Sequence, residues 1–333
     1  MRISLAISRQ ARDVICGVLC AIFTVAASNA AFGQPWPSKN IVAVIPFAPG
    51  NANDIVGRIV LEQLSKQLGQ TIIIENRSGA GGTTGVASVA KAPPDGYTIL
   101  VHSSTFAAAY SLYKSLPYDT FNDFVAVVPL AEQPTVLVTA PTKSWKTAGE
   151  LVAYGKANPG KLNFASAGVG AASHLAAERF RASAGFTAQH IPFRGPVDAL
   201  TEIITGRLDF YFLPLGPALN QINDGKLIAL AVSTPKRAAS LPDVPTTAEI
   251  GLKDATYAFW NGMFLPAKTP RDIVTKIHSE TQKALAVPEV QARLARTGSE
   301  VMTMSTEEFE KYFRDDVRST AKLMGEIGVQ KLD

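Results

Sequence analysis

The stretch IVAVIPFAPGNANDIVGRIVLEQLSKQLG, residues 41–69, decides the fold class. Residues 41–45 form a continuous apolar run of strand length, and residues 46–53 are rich in Pro, Gly and Asn, which is typical of a loop. From Asp54 onward, apolar residues recur at helical spacing until Gly69 ends the pattern. A buried strand that leads directly into a helix is the unit from which parallel α/β sheets are built.

A second stretch, LNFASAGVGAASHLAAERF at residues 162–180, has the same design. It predicts a strand over 162–165, a loop over 166–170 and a helix that starts near Ala172. Similar patterns predict further strands at 71–75, 97–101, 189–192, 209–212 and 227–232, and helices at 197–205, 217–223, 271–286, 288–296 and 306–325.

The Pro-rich passage at residues 241–245 separates the two α/β units from a helical tail. We therefore expect an α/β protein with two lobes. Open α/β sheets bind ligands outside the carboxyl ends of their strands, so an interlobe ligand cleft is the expected site.

Composition and charge exclude several classes of function. The chain has 333 residues, of which 47% are hydrophobic and only 18% charged, so an intrinsically disordered chain is excluded. The net charge of +4 comes without any long basic cluster. Neither nucleic acid nor an anionic membrane surface is therefore an expected partner.

Residues 1–33 have the pattern of a secretion signal. Basic residues precede the apolar run from Val14 to Ala27, and small residues follow it, with cleavage after Ala30 or after Gly33. A membrane anchor would need about 20 apolar residues, more than this run supplies. We expect a cleaved signal peptide and a periplasmic protein.

Disulfide, thiolate and metal chemistry are not expected of the mature chain. Both cysteines, Cys16 and Cys20, lie inside the signal. The four histidines lack metal-ligand spacing, so we expect no metal and no cofactor. The glycine-rich stretch at residues 78–85 lacks the lysine of a phosphate loop, which favours a tight strand-to-helix turn over a nucleotide site.

The loops at the two helix starts, residues 46–54 and 166–174, are candidate anion sites. A helix N-terminus presents free N–H groups and a partial positive charge, which suit a carboxylate. Asp54 either caps its helix or positions a ligand or water. His174 is either a packed histidine or a ligand contact, and Arg194 is either a ligand contact or a surface residue.

Several motifs together give the chain a resemblance to the Bug-type solute-binding receptors of tripartite tricarboxylate transporters. They are WPSK at 36–39, VIPFAPG at 44–50 with Asp54, ENRSGAGG at 75–82, PDGYTIL at 94–100, LPYD at 116–119, LNFASAG at 162–168 with SHL at 173–175, GKL at 225–227 and LPDVPT at 241–246.

The resemblance implies a Venus-flytrap fold that closes on a small carboxylate and delivers it to membrane permease subunits. Lobe 1 would comprise residues 34–133 plus 254–333, and lobe 2 residues 134–253. A non-enzymatic receptor, monomeric and periplasmic, is the expectation. The ligand-binding residues that it implies are Phe47, Ala48, Gly50, Asp54, Ser103, Ser104, Thr105, Ser166, Gly168, Gly170, Ser173 and His174.

Some positions depart from the family pattern. Asn51 stands where a second glycine is usual, Ala171 and Ala172 replace small hydroxyl residues, and residues 213–215 are Leu-Pro-Leu. Fewer hydroxyls and more aliphatic surface favour an aromatic or hydrophobic monocarboxylate over a citrate-like acid.

Two alternatives remain at this stage. The same fold could serve as a sensory receptor for a signalling partner. An exported serine hydrolase would use Ser166 or Ser103 as nucleophile, with His174 as base and an orienting acid.

Overall fold

The computed structural model describes residues 36–193 and 196–332. The predicted signal peptide and Arg194 lie outside the described residues. Within the described ranges, no helix is both long and apolar enough to cross a membrane. The fold below is that of residues 39–332.

Strands and helices alternate through most of the chain, as the sequence predicts. The strands are β1 Ile41–Ile45, β2 Ile72–Asn76, β3 Thr98–Ser103, β4 Phe124–Gln133, β5 Thr135–Thr139, β6 Leu162–Ser166, β7 Ala188–Pro192, β8 Phe210–Pro214, β9 Ile228–Val232, β10 Phe259–Pro266 and β11 Glu300–Val301. The α-helices are α1 Ala52–Leu68, α2 Thr83–Ala90, α3 Thr105–Leu112, α4 Ala148–Ala157, α5 Ala172–Ala184, α6 Pro196–Ile204, α7 Leu215–Asn223, α8 Arg271–Leu285, α9 Pro288–Arg296 and α10 Thr306–Glu326.

The strands form two mixed sheets. One has the order β11-β4-β10-β3-β1-β2 and the other the order β7-β6-β8-β5-β9. β1 lies parallel to β2 and β3, and β6 parallel to β7 and β8, as the strand–loop–helix units predict. β10 and β5 run antiparallel to their neighbours, which the sequence patterns did not predict.

Each sheet draws on its own part of the chain. The six-stranded sheet uses strands from residues 41–133 and 259–301, and the five-stranded sheet uses strands from residues 135–232. The chain thus leaves the first sheet at Pro134 and returns to it before β10. This arrangement is the predicted two-lobed α/β fold.

Aromatic side chains fill the core around the first sheet. Phe106 on α3 is fully buried and contacts the rings of Phe264 and Phe313, with centroids 5.1 Å away in both cases. Trp260 is also fully buried, and its Nε1–H donates to Asp316 Oδ2 at 2.9 Å. Trp260 is therefore a core residue.

The glycine-rich stretch is a tight strand-to-helix turn, as expected. Gly81 and Gly82 have φ of 62° and 99°, in the left-handed region that favours glycine. A Cβ on Gly85 would lie 2.7 Å from the Arg77 carbonyl oxygen and 2.7 Å from Pro46 Cβ. The stretch therefore supports Pro46, where the loop after β1 begins.

Gly85→Ala should destabilise the protein by about 1–3 kcal/mol, because the added methyl group overlaps the backbone at Arg77 and Pro46. Gly325→Ala is the control: a Cβ there meets nothing within 4 Å, so the helix propensity of alanine should leave stability equal or higher. Urea unfolding of both variants measures the difference. Equal stabilities would show that the packing against Pro46 is loose.

Candidate functional site

Asp54 fixes the loop that joins β1 to α1. Its Oδ2 accepts hydrogen bonds from the Gly50 N–H (2.8 Å) and from Arg58 Nε (2.9 Å), and its Oδ1 accepts one from Asn76 Nδ2 (2.9 Å). Burial acts to raise the pKa of this carboxyl, but the bonds from Arg58, Gly50 and Asn76 lower it below its ordinary value. Asp54 is thus an ionised carboxylate whose oxygens are occupied by loop and helix donors.

The N-cap of α1 is Asn51, so of the two roles that the sequence leaves open for Asp54, the helix cap is wrong. Asn51 Oδ1 accepts the N–H groups of Asn53 (2.8 Å) and Asp54 (3.1 Å). Asp54 is the third helical residue, so its carboxylate reaches back to Gly50 instead. Among the described residues, no acceptor contacts the N–H of Ala52, the first residue of the helix.

The residues that follow β3 lie beside this loop. Phe47 packs edge-on against His102, with ring centroids 5.3 Å apart, and the Ser103 and Thr105 hydroxyls are 2.9 Å apart. β1 and β3 are parallel neighbours, so both loops emerge at one edge of the sheet. The structure therefore brings the predicted lobe 1 residues together.

Ala48 and Ser104 have structural partners. The Ala48 carbonyl accepts from Asn51 Nδ2 at 2.6 Å, and the Ser104 hydroxyl accepts from the Tyr257 hydroxyl at 3.0 Å. Tyr257 is 4% exposed and lies just before β10, where the chain returns to the six-stranded sheet. Ser104 thus joins the end of β3 to this returning segment.

The loop between β6 and α5 repeats the arrangement seen at Asp54. The Gly170 N–H donates to His174 Nδ1 at 3.1 Å, and His174 is again the third residue of the helix. Gly50 and Gly170 both have positive φ, 83° and 78°. In each loop, therefore, a left-handed glycine gives its N–H to the side chain four residues later.

Other amides of this loop are also occupied. The Ala167 N–H donates to Ser173 Oγ at 3.0 Å, and the Gly168 N–H donates to Ser166 Oγ at 3.1 Å. The amides of Gly50, Gly168 and Gly170 thus shape the loops. Which residues contact a ligand stays a prediction.

The start of α5 has open donors. Its N-cap, Ala171, has no side-chain oxygen, so it cannot satisfy the first-turn amides. Within residues 36–193 and 196–332, the N–H groups of Ala172 and Ser173 have no acceptor. Uncapped N–H groups at a helix start are suited to bind an anion.

His190, which is not among the residues expected from the sequence, contacts the loop before α5. Its Nε2 lies 2.6 Å from Ser166 Oγ, because β7 pairs with β6 in parallel. His190 lies in the middle of β7, and only the strand order shows which loop it faces.

The serine hydrolase alternative is wrong, because the histidine expected as its general base does not contact the serine. Ser166 is fully buried and bonds to His190, not to His174. The Ser103 hydroxyl contacts Thr105. No carboxylate in the described part of the chain hydrogen-bonds to His190, and no cluster of ligands that could hold a metal ion occurs there.

Residues from both sheets meet near these loops. A Cβ on Gly170 would lie 2.3 Å from Leu112 Cδ1, so the loop before α5 touches α3 of the other sheet. A cavity of about 570 Å³ also opens beside the first turn of α1. Its lining includes Ala52 and Ile55 on α1, and Pro217 and Leu219 on α7.

Comparison with known proteins identifies the family. Residues 56–329 match the tripartite tricarboxylate transporter family receptor, TctC. The fold also matches three solved proteins over nearly their whole lengths. They are the periplasmic binding protein BugD (34% identity, 89% of this chain and 100% of that chain, TM-score 0.72), an R. palustris protein with adipate (28%, 89% and 100%, 0.75), and MatC from Rhodopseudomonas palustris with bound malate (30%, 86% and 99%, 0.71).

The chain belongs to the TctC family of periplasmic solute-binding receptors. Members of this family are non-enzymatic, which agrees with the structural evidence against a serine hydrolase. The family resemblance and the two-lobed fold inferred from the sequence are confirmed.

Acid should destabilise the protein through its buried histidines. Burial lowers the pKa of His102 from 6.5 to about 3, so between these pH values the unfolded chain binds a proton that the folded protein excludes. The stabilising contribution is complete above pH 6.5 and is lost as the pH falls towards 3. His102→Asn keeps an acceptor for the Ser103 N–H, which now bonds to His102 Nδ1, but removes the titration.

Urea unfolding at pH 7 and pH 5 measures this effect. The wild-type protein should lose about 2 kcal/mol more than His102→Asn across this interval. Equal losses would mean that His102 titrates normally in the folded state.

Proposed function

We propose that this receptor captures a small carboxylate between its two sheets and delivers it to the membrane permease of a tripartite transporter. The proposal depends on two helix starts whose first-turn N–H groups contact no acceptor in the described part of the chain: Ala52 on α1, and Ala172 with Ser173 on α5. Hydrogen bonds to a charged acceptor are roughly twice as strong as neutral ones. The malate and adipate bound by relatives support an acid as ligand.

In this proposal the predicted site residues have two roles. The Ser103 and Thr105 hydroxyls lie at the edge of the first sheet and are hydrogen-bonded to each other, so one of their two protons is left to donate to the ligand or to a bridging water. The remaining predicted residues shape the two loops through the contacts described above. They are Phe47, Ala48, Gly50, Asp54, Ser104, Ser166, Gly168, Gly170, Ser173 and His174. Ser173 also offers its backbone N–H to the ligand.

We propose that the ligand has an apolar or aromatic body and one carboxylate. Ile55, one turn after Ala52, is 37% exposed, and Val169, just before the α5 start, is 47% exposed. Apolar side chains thus flank both sets of open N–H groups. The cavity beside α1 adds further apolar lining, whereas a citrate-like acid needs polar partners for three carboxylates.

The proposal extends to the organisation of the chain. Residues 1–33 are the cleaved signal, residues 34–133 and 254–333 form lobe 1, and residues 134–253 form lobe 2. The separate origins of the two sheets support these lobe boundaries. The receptor acts as a monomer in the periplasm. Deletion of its gene distinguishes transport from sensing, because loss of acid uptake would show a transport role.

A thermal-unfolding panel of benzoate, adipate, malate and citrate tests the ligand class, with benzamide as the neutral match for benzoate. At a hundred times its dissociation constant a ligand stabilises by about 2.7 kcal/mol, which raises the unfolding midpoint by a few degrees. We expect a rise with benzoate, a smaller one with citrate and none with benzamide.

Two results of this panel would contradict the proposal. Citrate that binds at least about tenfold more tightly than benzoate would overturn the apolar ligand class, since tenfold corresponds to a net difference of about one hydrogen bond. Equal shifts with benzoate and benzamide would overturn recognition of the carboxylate. Protein refolded from urea serves as the control for a ligand retained during purification.

A further inference from the structure

His174 on α5 and His190 on β7 form a stacked pair next to the lobe 2 loop, residues 166–173. Their ring centroids are 4.1 Å apart and their planes differ by 15°. Phe164 on β6 stacks against His190 at 4.8 Å. Because three aromatic rings pack together, neither imidazole can rotate freely.

The contacts of His174 determine its proton position. Its Nδ1 accepts the Gly170 N–H, so the proton of the neutral ring must be on Nε2. Nε2 lies 3.8 Å from Glu178 Oε1, and Arg181 Nε donates to the other oxygen of Glu178 at 2.9 Å. The Glu178 carboxylate thus favours the tautomer that leaves Nδ1 free to accept.

His190 acts on the other end of the loop. Its Nε2 is hydrogen-bonded to Ser166 Oγ, and the same hydroxyl oxygen accepts the Gly168 N–H. The His190 ring therefore holds the Ser166 hydroxyl, and this hydroxyl holds the Gly168 amide. Together the two histidines hold three groups of the loop: the Ser166 hydroxyl and the N–H groups of Gly168 and Gly170.

Burial keeps both rings neutral. It lowers the pKa of His174 to about 3 and that of His190 to about 4. A proton on His174 Nδ1 would displace the Gly170 N–H, so the neutral state is the one that the loop contacts need.

We propose that His174 and His190 are positioning residues of the ligand site, which hold the lobe 2 loop in the form that leaves the first-turn N–H groups of α5 open to a carboxylate. They contact the loop and not the ligand. This inference rests on the proposed function, because it assigns the loop a ligand to receive.

Crossed substitutions test the two imidazoles atom by atom. An asparagine side chain places an oxygen where histidine has Nδ1, and a glutamine places its polar end where histidine has Nε2. His174→Asn and His190→Gln therefore keep the acceptor or donor that each site needs, whereas His174→Gln and His190→Asn lose it. The two variants at each position match in polarity, so each controls for the other.

Calorimetric titration with benzoate should separate the pairs. We expect His174→Asn and His190→Gln to bind within about threefold of the wild type, and His174→Gln and His190→Asn to bind at least about tenfold more weakly. Because His174 and Phe164 are buried and His190 is partly buried, thermal unfolding of each variant accompanies the titration. Equal weakening at a position, in proportion to its loss of stability, would show a packing role only and overturn the inference.

Hydrogen exchange of the Gly170 amide distinguishes failure of this inference from failure of the proposed function. The amide should be protected in the wild type and in His174→Asn, and exposed to exchange in His174→Gln, with or without benzoate. Wild-type protein that binds neither benzoate nor adipate would overturn the proposed function. Gly170 exchange that is the same in all three proteins would overturn the positioning role, whatever the titrations show.

Discussion

The hydrogen bond from a left-handed glycine to the third residue of the following helix is the interaction on which both loops depend. Gly50 donates to the Asp54 carboxylate and Gly170 to the His174 imidazole, at 2.8 and 3.1 Å. Gly170 is buried, and a buried N–H without an acceptor costs about 1–3 kcal/mol, so the loop before α5 must satisfy this amide. Gly50 is exposed, and its bond to Asp54 fixes the shape of the loop before α1. In each loop the acceptor is the side chain of the third helical residue. The first-turn amides of the helix therefore do not have to satisfy groups of the loop and stay open to a ligand.

This constraint explains how a protein with little net charge can select an anion. Asp54, the carboxylate of the loop before α1, is paired with Arg58, and burial keeps the imidazoles of His174 and His190 neutral. The positive electrostatic field that attracts an anion then comes from the starts of α1 and α5, each equivalent to roughly half a positive charge. Affinity then depends on loop geometry, because a helix start attracts an acid only where its amides are unoccupied.

The local part of the fold could be predicted from the sequence, since apolar runs, loops and helix ends are encoded within short stretches. β1, β6, α1 and α5 are examples. The antiparallel strands β5 and β10 could not be predicted, because their pairing joins distant residues such as Thr135 and Pro214. The sequence leaves two roles open for Asp54, a helix cap or the positioning of a ligand or water. Because aspartate and asparagine cap equally well, only the backbone shows that Asn51 is the N-cap. The ion pair of Asp54 with Arg58 could be predicted from its i,i+4 spacing. The contact of His190 with Ser166 could not, because it depends on the order of the strands in the sheet.

The affinity of Ala172→Pro for benzoate measures whether the open amide at the start of α5 binds the carboxylate. Proline removes the first-turn N–H but fits the first helical position, and Ala171 already has the extended ψ of 156° that a following proline requires. Arg271→Pro, at the equivalent position of α8, is the control for tolerance of proline. We expect both variants to fold as the wild type does, and only Ala172→Pro to lose affinity, by about tenfold or more. Wild-type affinity in Ala172→Pro would contradict this expectation.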